Sequence, residues 1–169
     1  MTNMAKPNQD ITVAERFNHL DSVRGMKLER ARYMASLTIP TLLPPNGITS
    51  NSEMPKPFSS VGARGVTNMA SRMLSALLPL NDLPFFKFEL NTGAEANVEA
   101  YAQMESLAGQ VYARLSSGNM RESLFMALQQ LIVAGDVLLV MDDDLSFRVY
   151  RLDQYTVRRD VDGSVVEII

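Results

Sequence analysis

The segment 119–141 constrains the fold of this chain more than any other part of its 169 residues. Its first part has the apolar spacing of one helix face, and Asn119 and Glu122 occupy the positions of a capping box before that face. The apolar residues of the face are Leu124, Phe125, Leu128, Leu131 and Ile132. Gly135 is of the residue type that most often ends a helix, and residues 137–141 are all apolar. The segment therefore predicts a helix that leads through one glycine into a buried strand.

The composition excludes several kinds of functional site. The chain has no cysteine, which excludes disulfides and thiolate metal ligands. The single histidine, His19, removes most zinc sites and makes a serine triad improbable. The formal net charge of −3 argues against tight binding of a nucleic-acid backbone. We therefore predict no catalytic residue, no cofactor and no metal, and the absence of a long apolar run predicts no membrane segment.

Helical patterns dominate the first two thirds of the chain. A capping box at Thr12 and Glu15 begins an amphipathic helix that should continue to about Leu37, with Gly25 as its weak point. Two further helices are predicted, at 59–78 and at 92–117.

The sequence Gly62-Ala-Arg-Gly65 near the start of the second helix has two interpretations. Helix N-termini bind anions, and glycine-rich starts occur in phosphate loops. However, the segment lacks the lysine and the preceding strand of a Walker motif. Glycine and alanine also allow another backbone to approach closely, and we favour this packing interpretation.

The strands are predicted from alternation and from turn residues. Alternating side chains predict a half-buried strand at 85–90. Three consecutive acids at 142–144 do not have the spacing of an EF-hand, so we interpret them as a hairpin turn before a strand at 147–152. Residues 155–159 and 164–169 predict a second hairpin, joined by a type I′ turn at Asp162-Gly163. The expected fold class is α+β, with long helices packed against short antiparallel strands and hairpins.

We expect one domain that continues beyond Ile169. Residues 1–11 are polar and predict a flexible N-terminal tail, and residues 12–169 predict a single α+β domain. The last three residues, Glu167-Ile-Ile169, would leave a strand unfinished on two apolar side chains. The sequence is therefore expected to be the front part of a longer protein, or its ordered part.

Four stretches, in this order and spacing, resemble the N-terminal part of the head-to-tail connector, or portal protein, of short-tailed bacteriophages. They are YMASLTIPTLLPP at 33–45, PFSSVGARGVTNMASRMLSALLPL at 57–80, RESLFMALQQLIVAGDVLLV at 121–140 and VYRLDQYTVRRDVDGSV at 149–165. The resemblance covers most of residues 12–169, although 46–56 and 92–117 contribute no motif to it. It implies that residues 12–169 form the wing of a portal subunit, where α and β structure packs against neighbouring subunits and the shell.

The resemblance implies a structural protein of the virion rather than an enzyme. Portal subunits form a dodecameric ring at the capsid vertex, which becomes the head–tail junction. The implied partners are further copies of the chain, capsid and scaffolding proteins, tail or adaptor proteins and the terminase motor, and assembly takes place in the host cytoplasm. Double-stranded DNA passes through the channel during packaging and ejection without sequence specificity. No site residue of the family can be carried over, because its channel, clip and crown regions lie downstream of Ile169.

Two other functions remain open from the sequence. The chain could be a generic α+β protein–protein interaction domain of another large assembly, which would lack ring symmetry in electron microscopy. It could also belong to an enzyme whose active site lies beyond Ile169. The sequence that follows would distinguish the second alternative.

Opposite charges in distant parts of the chain suggest how subunits recognise each other. A closed ring needs two different, complementary flanks on each subunit. The first predicted helix has five basic and three acidic residues, a net of +2, whereas residues 136–169 have four arginines and eight acids, a net of −4. Our hypothesis is that the acidic turn of one subunit faces arginines of the next. The alternative is that both sets are solvated surface charges, since most exposed charge pairs contribute little. The residues of this candidate interface are Asp142, Asp143 and Asp144 on one side and Arg24, Arg30 or Arg32 on the other.

Overall fold

A computed structural model of the chain describes residues 12–48, 52–79, 84–89 and 98–169. Within these ranges the chain has the predicted α+β fold, with five α-helices and two separate antiparallel pairs of strands. The helices are α1 (Val13–Val23), α2 (Gly25–Leu37), α3 (Val61–Leu77), α4 (Val98–Ser116) and α5 (Met120–Ala134), with a 3-10 turn at Pro40–Leu42. The strands are β1 (Leu138–Met141), β2 (Phe147–Tyr150), β3 (Val157–Arg159) and β4 (Val165–Ile168). The predicted tail at 1–11 lies outside the described residues, and no described helix is long and apolar enough to cross a membrane.

The single helix predicted from residue 12 to residue 37 is wrong, because the chain breaks at Arg24 into α1 and α2. Arg24 has φ −92° and ψ 5°, outside helical geometry. Its N–H donates to the Leu20 carbonyl, and its own carbonyl accepts from the N–H groups of Lys27 and Leu28. The break occurs beside Gly25, where a glycine weakens a helix by about 1 kcal/mol relative to alanine. The predicted capping box at the start of α1 is confirmed.

The hydrophobic core joins α2, the end of α5 and the connection between the two hairpins. Its buried residues are Leu28, Ala31, Ala35, Leu43, Ala134, Leu152 and Tyr155, and Val133, Leu138, Tyr150 and Val157 pack against them. By contrast, α1 has no buried residue. The first helix is therefore an attachment to the core rather than a part of it.

The buried face of α5 coincides only in part with the predicted one: Leu128 is buried as predicted, whereas Leu124, Phe125 and Ile132 are half-buried. Leu131, on the predicted apolar face, is 42% exposed. The buried residues are mostly small or polar: Met120, Ser123, Ala127, Leu128, Gln130 and Ala134. Small side chains let α3 pack closely, and α3 contributes buried Val66 and Ala70. Gln130 can be buried because its Nε2 donates to the Leu42 carbonyl at 2.8 Å.

The end of α5 has the predicted geometry. Gly135 adopts a left-handed conformation, with φ +76°, and its N–H donates to the Leu131 carbonyl at 2.9 Å. The chain then enters β1, which is half-buried rather than fully buried, and Met141 at its end is exposed. The predicted order of helix, glycine and strand is confirmed, whereas full burial of the strand is wrong.

The capping box predicted at Asn119 and Glu122 is also wrong. The Asn119 side chain makes no capping hydrogen bond. Instead, its Nδ2 donates to the Phe147 carbonyl and its Oδ1 accepts from the Phe147 N–H, both at 2.8 Å. The side-chain amide thus satisfies backbone groups on the outer edge of β2, which β1 leaves unpaired.

Both predicted hairpins are present, and their turns share one geometry. In the first, Leu145 has φ +64° and its N–H donates to the Asp142 carbonyl. In the second, Gly163 has φ +83° and its N–H donates to the Asp160 carbonyl. Asp162 has no positive φ, whereas a type I′ turn needs one at both central residues. The type I′ prediction is therefore wrong, although the hairpin itself is confirmed.

The strand predicted at 85–90 is absent from the described residues 84–89. Its aromatic rings pack edge to face instead, with ring centroids 5.4 Å apart for Phe86 and Phe88 and 6.2 Å apart for Phe85 and Tyr112 of α4. A strand needs a neighbouring strand to pair with, and no described residue supplies one. Of the helix predicted at 92–117, residues 92–97 lie outside the described part.

Candidate subunit interface

The three consecutive aspartates lie in the turn of the β1–β2 hairpin, where two of them are engaged within the hairpin. The Asp142 Oδ2 lies 2.6 Å from the Nε of Arg148. The Asp144 Oδ1 accepts from the Ser146 N–H at 3.0 Å. Asp143 is exposed and makes no hydrogen bond or ion pair with the described residues. The turn therefore presents one carboxylate that is free to meet another molecule.

The electrostatics of the turn keep it negatively charged. Hydrogen bonds from Ser146 lower the pKa of Asp144 below its ordinary value. The charge of Asp142 raises the pKa of Arg148. Because the pKa of Asp144 falls and that of Arg148 rises, both groups remain ionised at neutral pH. The one arginine offsets only part of the charge of the three carboxylates.

The three candidate arginines have different environments. Arg24 is held by Asp21, with its Nη2 2.8 Å from the Asp21 Oδ1, and its side chain is only 14% exposed. Arg32 is half-buried on the side of α2. Arg30 is exposed and has no ion pair with any residue that the structure describes. Of the three, Arg30 is the one best placed to meet an acidic partner.

Within one chain, the structure does not bring these two sets of charges together. No ion pair in the described ranges joins an arginine of the set 24, 30 and 32 to an aspartate of the set 142–144. In these ranges no three or more histidine or acidic side chains are placed so that they could hold one metal ion. Among the described residues of one chain, the two sets of charges therefore do not meet.

A polar cluster that the sequence did not predict lies where α2 meets the end of α5. Lys27 Nζ lies 2.8 Å from Asp136 Oδ2, and the Tyr155 hydroxyl donates to Asp136 Oδ1 at 3.1 Å. Burial opposes ionisation of Asp136, but the hydrogen bond and charge of Lys27 and the hydrogen bond from Tyr155 outweigh it and lower the pKa of this carboxyl. Burial, followed by the charge of Asp136, raises the pKa of Tyr155. The cluster joins residues more than a hundred positions apart, so no local pattern could have predicted it.

A second contact that the sequence did not predict attaches α1 to the β3–β4 hairpin. Glu167 on β4 forms ion pairs with Arg16 of α1 and with Arg158 of β3, the latter at 3.3 Å. Because α1 buries no residue, this contact is an important part of its attachment. The sequence indicated this contact only through one acid, Glu167, at a half-buried position of a strand.

Gly62 shows why small residues begin α3. A Cβ at this position would lie 2.9 Å from the Leu37 carbonyl oxygen and 3.1 Å from the Thr38 methyl group. The end of α2 and the start of α3 can therefore approach this closely only because residue 62 has no side chain. The packing interpretation of the Gly62-Ala-Arg-Gly65 segment is confirmed at Gly62.

Comparison with known proteins gives one family. The family model described as "Bacteriophage head to tail connecting protein" matches residues 11–169. The portal protein of Escherichia phage T7 is 30% identical over 167 residues, which cover 90% of this chain and 31% of that protein. The portal protein of Enterobacteria phage T3 is 30% identical over 166 residues, with 90% and 30% covered. The portal protein of Pseudomonas phage phiKMV is 29% identical over 154 residues, with 86% and 30% covered. The chain thus spans about a third of the length of these relatives.

Proposed function

The chain belongs to the family of bacteriophage head to tail connecting proteins, and we propose that it forms the wing of a phage portal subunit. The observation that carries the proposal is the family match, which extends over residues 11–169 and so includes every element of the described fold. The relatives that match over most of the chain are portal proteins of phages. This support favours the portal over a generic interaction domain of another assembly.

In this proposal, twelve copies of the whole protein close into a ring at the capsid vertex. Capsid and scaffolding proteins surround the ring, the terminase motor docks on it during packaging, and tail or adaptor proteins bind it afterwards. Double-stranded DNA passes through the channel in both directions. The net charge of −3 in this part of the chain is consistent with a surface to which DNA does not adhere.

The role proposed for this part of the chain is structural rather than enzymatic. Its relatives are portal proteins, and the energy for packaging would come from a separate motor. Purified protein at its full natural length should therefore hydrolyse no ATP by itself. ATP hydrolysis that copurifies with the ring and disappears in the variant Arg64→Ala would contradict this assignment and revive an anion site at the start of α3.

We place the charge contact between neighbouring wings at Asp143 and Arg30. Both are exposed, and each lacks an ion pair with the described residues of its own chain. The other four candidates are less available for this contact, because Arg24 and Arg32 are partly buried and Asp142 and Asp144 are engaged in the turn. A heterologous contact of this kind repeats around a closed ring.

Electron microscopy of the protein at its full natural length tests the proposal. Closed rings with a central channel are expected in negative stain, and native mass spectrometry should give one dominant oligomer. Monomers, or assemblies without rotational symmetry, at concentrations where relatives form rings would contradict a portal and favour another kind of assembly.

A further inference from the structure

Helix α3 contains a glycine that no contact in the described part of the chain requires. A Cβ at Gly65 would have no atom within 4 Å, in contrast to the neighbouring Gly62, where a Cβ would clash with the Leu37 carbonyl. Glycine inside a helix is unfavourable relative to alanine. Because Gly65 is exposed and has no side chain, it leaves a small bare area on the outer face of α3, here called the dent, which no described residue fills.

The rim of this dent is apolar and positively charged. On a helix, the neighbours of residue 65 are residues three or four positions away and the residue next to it, here Val61, Arg64, Asn68 and Met69. Val61 is 66% exposed and Met69 is 54% exposed. Arg64 is exposed and has no ion pair with the described residues, and α3 contains two arginines and no acid. The dent is therefore suited to a small apolar group that is accompanied by negative charge.

The turn of the β3–β4 hairpin carries such a group. Val161 at its tip is 103% exposed, so no described side chain covers it. Asp160 and Asp162 flank it, and the Asp160 Oδ1 accepts from the Val161 N–H at 2.8 Å. Asp162 is exposed and makes no hydrogen bond or ion pair with the described residues. This branched apolar side chain is exposed to water in the described chain, and burying it against another molecule would be favourable.

We propose that Val161 of one subunit packs into the dent over Gly65 of the neighbouring subunit, with Asp162 facing Arg64. The occupant is a second copy of the chain, because the apolar tip beside a carboxylate is complementary in polarity and charge to the apolar rim beside an arginine. This inference rests on the proposed ring. It is consistent with the placement of Asp143 against Arg30, since in both contacts a hairpin turn of one subunit meets a helix of the next. The hairpins would form one flank of the wing, and α2 and α3 the other.

Cross-linking of the protein at its full natural length tests the contact. Residues 1–169 include no cysteine, so cysteines introduced by Val161→Cys and Asn68→Cys can be joined by a short bismaleimide without background from this part of the chain. Because each subunit uses both flanks, the double variant should give a ladder of covalent multimers on a denaturing gel. Each single variant is the matched control and should give no ladder. Rings of the double variant that give no ladder would overturn the inference and leave the portal proposal intact, whereas failure of the unmodified protein to form rings would overturn the portal proposal.

Substitution of the glycine gives a second test with opposite effects on stability and assembly. Gly65→Leu should raise the melting temperature of the subunit by about 2–4 °C, because leucine favours a helix more than glycine does. The same change fills the dent and should reduce the fraction of protein in rings at least tenfold. Gly109→Leu is the control, since Gly109 of α4 also has open space around a Cβ, and it should leave ring formation unchanged. Normal rings from Gly65→Leu would show that Val161 of the neighbouring subunit does not pack into the dent.

Discussion

The left-handed residue after α5 is a position where a side chain should cost backbone energy. Gly135 has φ +76°, and a Cβ there would meet no atom within 4 Å. The cost of a substitution therefore comes from the left-handed backbone conformation of residue 135, and not from a clash with another part of the chain. Gly135→Val should lower the free energy of unfolding by about 1–2 kcal/mol or more.

Chemical denaturation of the purified variants measures this cost. Gly135→Asn is the matched control and should lose less, because asparagine tolerates the left-handed region better than a β-branched residue. Equal stability of the valine variant and the unmodified protein would mean that Gly135 is not left-handed.

Asp136 should make part of the stability of the fold depend on pH. Its folded pKa lies below the ordinary value of 3.8, so its ionised form stabilises the folded state above that pH. This contribution is lost as the pH falls through the lowered pKa. Asp136→Asn should therefore reduce stability at pH 7 by about 1 kcal/mol, since Lys27 is half exposed and solvent screens the pair, and the reduction should disappear at low pH.

Denaturation curves at pH 7 and at about pH 2 measure the pH dependence of this loss. Asp143→Asn is the control, because Asp143 has no partner among the described residues and its substitution should change little at either pH. A loss of the same size at both pH values would assign the effect of Asp136→Asn to packing rather than to charge.

Between elements, the Asn119 side chain links α5 to β2, together with Ser123, whose Oγ also donates to the Phe147 carbonyl at 3.1 Å. The two hydrogen bonds of Asn119 to the Phe147 backbone should contribute about 1–2 kcal/mol together. Asn119→Ala should lower stability by that amount, and hydrogen exchange at the Phe147 amide should become faster. Glu122→Ala should have almost no effect, whereas a capping box would make the two substitutions similar in cost.

The close approach of α3 to α2 depends on the absence of a side chain at Gly62. Gly62→Ala would place a Cβ 2.9 Å from a backbone oxygen that cannot move without moving the end of α2. We expect a loss of about 1–3 kcal/mol from this overpacking, measured as a fall in melting temperature. Gly109→Ala, with open space at its Cβ, should be neutral or stabilising, and the same result for Gly62→Ala would contradict the close approach of the two helices.

For the whole molecule, the charge contact proposed between wings should control ring formation without affecting the fold. Asp143→Lys should leave the melting temperature unchanged, because Asp143 has no partner in its own described chain. The ring fraction measured by native mass spectrometry should fall. Adding Arg30→Glu should restore it, since the two charges are then reversed together. Normal rings from Asp143→Lys alone would show that both residues are simply solvated, as most exposed charges are.

The sequence by itself determined the features that depend on neighbours along the chain. The capping box at Thr12, the end of α5 at Gly135 and the two hairpins each follow from a few consecutive residues, because backbone geometry and short-range hydrogen bonds decide them. The α+β class followed from the same patterns, and four motifs in order were sufficient to indicate the family.

Only the tertiary structure decided the features in which distant residues compete. The Asn119 side chain left its own helix for the edge of β2, and α5 buried its small face because α3 packs against it. Residues 85–89 alternate like a strand but have no partner strand in the described chain. The acidic turn was predicted from sequence, yet which of its carboxylates remains free was decided by Arg148 and Ser146. Local sequence sets what a segment can form, whereas the partners that satisfy its polar groups and cover its apolar face are chosen by packing across the whole fold.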